Sequence, residues 1–185
     1  MKNIMNKKIL SILIIVVFVV VFSVLNKKEG FYFGKSSGSF EECVKAGNAV
    51  MESYPRQCRD GKSGELFVEN IGNELEKVDL IRLDNPRPNQ KIESPLLVKG
   101  SAMGNWFFEG DFPIILTNWD GLIIAEGFAT AKGEWMTKDF VEFEGVVEFE
   151  NPDISVSNKG TLILQKDNPS DISELDDALE IPVVF

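Results

Sequence analysis

The sequence contains no histidine. That absence excludes every Ser-His or Cys-His catalytic pair and every histidine-ligated metal, because no other side chain titrates near neutrality in an unperturbed environment. Only two cysteines are present, too few for a four-cysteine zinc site or an all-cysteine iron–sulfur cluster. Positive charge is also scarce, with 19 basic residues against 29 acidic ones. The shortage is uneven: residues 1–28 hold five lysines and no acid, which leaves fourteen basic residues facing all 29 acids in the remainder. A body this acidic repels nucleic acid and anionic lipid surfaces, and both are excluded as its main ligands.

Long hydrophobic runs are nearly absent too, and the single exception is informative. From Ile9 to Leu25 only Ser11 and Ser23 interrupt an apolar stretch. At 1.5 Å per residue it crosses most of a ~30 Å hydrocarbon core. It leaves through Val24, Leu25, Asn26 and Lys27 with no small-residue cleavage site, which argues for an uncleaved anchor over a removed signal peptide. Lys2, Lys7 and Lys8 precede it, so the positive-inside bias places the N-terminus in the cytoplasm and the rest of the chain outside. The expectation is a single-pass protein of the cell membrane with an extracytoplasmic C-terminal part.

Beyond the anchor, Glu29 to Ser39 is rich in glycine and serine and reads as a flexible linker. Phe31, Tyr32 and Phe33 lie beside Lys27 and Lys28, and two readings stand equally: rings in the headgroup zone that aromatics favour, or an ordinary apolar patch of the linker. Cys43 and Cys58 then fall in a non-reducing compartment and are expected to form a disulfide. Closing a loop of this size stabilises by roughly 3 kcal/mol in the chain-entropy picture, a large share for a unit too small to build its own core. The expected organisation is an N-terminal signal anchor and transmembrane helix over 1–28, a linker over 29–39, a small disulfide-bonded module over 40–72 and a β-sandwich domain over 73–185.

After Gly72 the pattern becomes one of short strands. Val141, Phe143, Val147 and Phe149 share one parity, and Glu142, Glu144, Glu148 and Glu150 share the other, which predicts a half-buried strand with a bulge at Gly145. Further strands are predicted over 78–83, 96–101, 112–117, 122–130, 161–166 and 181–185. Turn signals separate them, including Asn85-Pro86, Asp120-Gly121, Asn151-Pro152 and Asn168-Pro169. A single turn or short helix is expected within 170–179. Seven short strands of this kind indicate an all-β, immunoglobulin-like β-sandwich.

Three stretches carry a resemblance: SPLLVKGSAMGNWFFEGDFPIIL (Ser94 to Leu116), GFATAKGEWMTKDFVEFEG (Gly127 to Gly145) and KDNPSDISELDDALEIPVVF (Lys166 to Phe185). Together they resemble the immunoglobulin-like domain of bacterial spore germination family. The resemblance implies a non-catalytic binding or assembly role at the bacterial envelope and supplies no catalytic residue. The stretch AGNAVMESYPRQC (Ala46 to Cys58) resembles a short two-cysteine segment that precedes envelope domains.

Among candidate site residues, Trp106 and Trp135 adjoin Phe107, Phe108 and Met136 and are expected in packing near strand ends, whereas Trp119 sits in a turn between two apolar strands. A turn tip does not readily bury a Trp, so Trp119 is the candidate ligand contact, for a protein or a glycan. The row Glu142, Glu144, Glu148 and Glu150 raises the paired carboxylates of a glycan hydrolase, but solvation opposite an apolar face explains its alternation. The cluster Asp167, Asn168, Asp171, Glu174, Asp176 and Asp177 lacks the spacing of a calcium loop. No cofactor, metal or enzyme activity is expected. The reading is an extracytoplasmic binding, adhesion or scaffolding protein, with a cell-wall glycan-binding module as the alternative and a carboxylate-dependent hydrolase behind it.

Overall fold

The computed structural model describes residues 36–170 and 172–185. The expected anchor over 1–28 and most of the linker lie outside the described residues, and among the described residues no helix is long and apolar enough to cross a membrane. From Gly38 onward the chain folds as one compact unit. Its strands are β1 (Val50–Met51), β2 (Gln57–Arg59), β3 (Leu66–Val68), β4 (Ile81–Asn85), β5 (Leu96–Met103), β6 (Asp111–Asn118), β7 (Ile123–Ala131), β8 (Phe140–Val147), β9 (Lys159–Gln165) and β10 (Ala178–Val184). Two short helices, α1 (Phe40–Lys45) and α2 (Glu74–Lys77), precede the larger sheet.

Period-two patterning builds that larger sheet. Leu96, Val98 and Ala102 of β5, Val141, Phe143 and Val147 of β8, and Leu162 and Leu164 of β9 point into one core, while Lys99, Glu142 and Val146 face solvent. The seven strands hydrogen-bond in the order β10-β9-β6-β7-β8-β5-β4, all antiparallel. Strand β7 carries the sheet around the core: Phe112 pairs with Ala129, and Ala129 in turn pairs with Gly145 of β8. Beyond β4, residues 89–92 turn back onto the free edge of β10 in parallel, through Asn89 N–H to Pro182 O at 2.7 Å and Ile92 N–H to Val184 O at 2.8 Å. The sheet thereby comes close to a closed barrel, and the edge that would invite strand addition is covered.

All seven expected strands form. The core includes Trp106, Phe107, Phe112 and Phe143, with ring centroids 5.2 Å apart for Phe107 and Phe112 and 4.9 Å for Phe112 and Phe143. Each such fully buried side chain contributes roughly 1.5–3 kcal/mol of transfer free energy. Three details differ from the sequence reading. Strand β4 starts at Ile81 rather than at 78, because α2 occupies 74–77. Gly145 is not a bulge: it pairs in regular register with Val98 and Ala129, and its missing side chain admits the Phe128 carbonyl and Ile114. The helical turn expected within 170–179 is a single 3-10 turn at Ser173–Leu175.

The two-cysteine segment is small but ordered by its cystine. Cys43 in α1 and Cys58 in β2 form a disulfide with a Cα–Cα distance of 6.1 Å, fully buried with Phe40 against Phe67. Ser39 caps α1 by accepting the Glu42 N–H at 3.1 Å, and Glu41, Glu42 and Lys45 suit the helix dipole. Strands β1, β2 and β3 form a separate three-stranded sheet.

Candidate binding surfaces

Strand register sorts the loops of the sandwich into two ends. Asn118 lies opposite Gly160, Lys159 opposite Val184, and Leu96 opposite Val147. The β6–β7 hairpin, the β8–β9 loop, the β4–β5 connection and Phe185 therefore share one end. Trp119, the sequence-predicted contact, stands there and is 49% exposed. Its hairpin is tightly closed: Asn118 N–H donates to Leu122 O and Asn118 Oδ1 accepts from Leu122 N–H, both at 2.9 Å, and Gly121 takes a φ of 85° that a side-chain-bearing residue adopts only at a cost. Leu122 and Ile123, which follow the turn, are exposed as well, as are Ile154 and Val156 in the β8–β9 loop. Sequence reasoning missed these four; the signal was an apolar cluster crowded around a turn. A cleft of about 450 Å³ between Lys91, Ser94, Asn151, Ile154 and Phe185 opens at the same end.

The opposite end gathers the β5–β6, β7–β8 and β9–β10 loops. Gly104 N–H donates to Asp139 O at 3.3 Å, Ala131 N–H to Gly110 O at 2.8 Å, and Asp167 N–H to Trp106 O at 3.1 Å, so the three loops brace one another. Trp106 is buried as expected, at 1% exposure. Trp135 is only half-buried: it belongs to the β7–β8 loop rather than to a strand, and it packs against the rim of the core beside Gly110. The groove next to it measures about 410 Å³.

The carboxylates are dispersed. Glu144 is held between Lys132 and Lys99, each at 3.2 Å, and the hydrogen bonds from these two lysines lower its pKa. Glu142, Glu148 and Glu150 are exposed. Asp177 pairs with Lys77 at 2.5 Å, and Asn168 donates to Asp176 and to Ile172 O, both at 2.8 Å. Among the described residues no three metal-ligating side chains converge.

Two buried glutamates that the sequence reading did not single out tie the cystine segment to the sandwich. Glu69 accepts from Arg56 Nε at 2.8 Å and Nη2 at 2.5 Å and from Asn89 at 3.2 Å, and the Arg56 hydrogen bonds hold its carboxyl below the usual range. Glu74 pairs with Arg87 at 2.7 Å and accepts from the Tyr54 hydroxyl, yet burial pushes its pKa up. Asn73 adds a bond to Ala178 O at 2.9 Å and one from Glu180 N–H at 2.8 Å.

No curated protein and no solved structure matches the chain. One family matches residues 80–173, just over half of the chain, from the residue before β4 to the 3-10 turn ahead of β10. Domains of this kind are generally non-catalytic and of binding type, in keeping with dispersed carboxylates and two loop-bearing ends. The matched span contains six of the seven strands of the larger sheet, and by it the chain belongs to the family of immunoglobulin-like domains of bacterial spore germination.

Proposed function

We propose that the chain is a membrane-anchored, extracytoplasmic binding or scaffolding protein of the bacterial envelope, held by the apolar segment 9–25 and presenting the 73–185 domain on the 29–39 linker. The observation that carries this reading is Trp119: a large apolar ring, half exposed on a rigid, hydrogen-bonded hairpin tip, on a fold of binding type. Such a ring lowers solubility unless it meets a partner. The cystine segment is then a brace on the sandwich rather than a second site. Capture of envelope material by the full chain tests the proposal. Trp119→Ala is expected to weaken capture with an unchanged melting temperature, and equal capture by both proteins refutes Trp119 as the contact.

A second reading, a cell-wall glycan-binding module, is favoured by the same exposed indole face, on which a sugar ring can stack. Sedimentation with purified cell-wall glycan separates the two, because a protein partner leaves the domain in the supernatant.

A further inference from the structure

The loop end that carries Trp119 has a composition suited to one surface in particular. Trp119, Leu122 and Ile123 on the hairpin and Ile154 and Val156 on the adjoining loop are each about half exposed or more. The turn pairs its own backbone at Asn118, Gly121 and Leu122, which lowers the cost of bringing the hairpin to the headgroup–acyl boundary, where water is scarce.

The folded unit also begins near this end, through its first helix α1. Glu41, in the first turn of α1, pairs with Lys159 at 2.9 Å, and Lys159 opens β9 next to the Gly160–Asn118 pair at the foot of the hairpin. Only the 12 residues 26–37 separate the expected apolar anchor from Gly38. Twelve residues reach no farther than about 40 Å even when fully extended. A tether this short keeps the domain at millimolar effective concentration near the bilayer, so weak apolar insertion is enough to hold it there.

We propose that this end of the sandwich is a lipid-contact surface, with Trp119, Leu122 and Ile123 entering the headgroup–acyl boundary of the membrane in which the chain is anchored. The proposal rests on the membrane anchoring inferred above and names the partner of the Trp119 end. Tryptophan is the side chain most at home at that depth, with an apolar ring and one N–H for the wet side. Charge attraction has no part in it, since the body is acidic; the contact is apolar and survives high salt.

The test uses the full chain reconstituted in phosphatidylcholine vesicles brominated at a shallow acyl position. Flotation reports the anchor, and quenching of the Trp119 emission, taken as wild type minus Trp119→Phe, reports the tip. The expected result is flotation of both proteins with about two-fold quenching of the Trp119 component, retained at high salt and lost in Leu122→Asp/Ile123→Asp, which still floats. Flotation without quenching overturns the lipid contact while leaving the anchoring intact, as does quenching that persists in the double variant. Failure to float overturns the anchoring and the lipid contact with it.

Discussion

Adding one methyl group at Gly145 should cost more stability than its size suggests, because the glycine sits between two ladders with no slack on the core side. Gly145 pairs with Val98 of β5 and with Ala129 of β7. A Cβ there meets the Phe128 carbonyl oxygen at 2.6 Å, Ile114 Cδ1 at 2.7 Å and Ala129 Cα at 3.1 Å. The Phe128 carbonyl belongs to the strand that carries the sheet around the core and cannot retreat without opening the β7–β8 ladder, and the fully buried Ile114 side chain of β6 can give way only by repacking the core. Overpacking of this kind costs about 1–3 kcal/mol. Restriction of the unfolded chain by alanine returns about 0.4–1 kcal/mol, which leaves a net loss of roughly 1–2 kcal/mol. For a unit of this length that corresponds to a fall of about 2–8 °C in melting temperature.

Gly133→Ala is the matched control, since no heavy atom lies within 4 Å of the Cβ it would gain. Its effect should stay within about 0.5 kcal/mol. Differential scanning calorimetry of the two variants against wild type decides the matter. Equal melting of Gly145→Ala and Gly133→Ala would show that the sheet yields at the crossing and that the close approach is not what demands a glycine.

What was legible in the sequence followed from period and parity. Val141, Phe143, Val147 and Phe149 announced a buried face, and all four are buried. Asp120-Gly121 announced a hairpin, and Gly121 has the positive φ such a turn uses. The cysteine pairing followed from compartment and count. Period said nothing about elements of two to six residues, which is why β1, β2, β3, α1 and α2 went unseen: a cystine and side-chain clamps fix them, not a repeating pattern. Gly145 misled because the sequence shows a missing side chain but not the neighbour that needs the space. The return of residues 89–92 onto β10 is a tertiary pairing between positions some 90 residues apart, and no local signal encodes it. Trp119 stood out as a lone tryptophan at a turn, whereas Ile154 and Val156 join it only through the register of β6 with β9.

The remaining expectations concern packing, redox state and pH. Trp106→Ala removes a fully buried indole and should destabilise by about 3–5 kcal/mol, whereas Trp119→Ala should cost less than about 0.5 kcal/mol; equal losses in urea titrations would make Trp119 a structural residue. Protein isolated without reductant should resist alkylation at Cys43 and Cys58 until it is unfolded and reduced, and labelling of the native protein would break the buried cystine. The two buried glutamates should respond to acid with opposite sign. Glu69, held low by Arg56, binds its proton less readily folded than unfolded, so its contribution is complete above the unfolded value of about 4.3 and is lost as pH falls through the lowered folded value. Glu74, pushed up by burial, binds its proton more readily when folded, so it costs stability above its raised folded value and that cost fades as pH falls toward the unfolded one. In unfolding titrations from neutral pH to about pH 3, wild type should therefore lose its advantage over Glu69→Gln and gain on Glu74→Gln. Parallel trends in the two variants would mean that the Arg56 clamp on Glu69 and the burial of Glu74 do not set these two carboxyl environments apart.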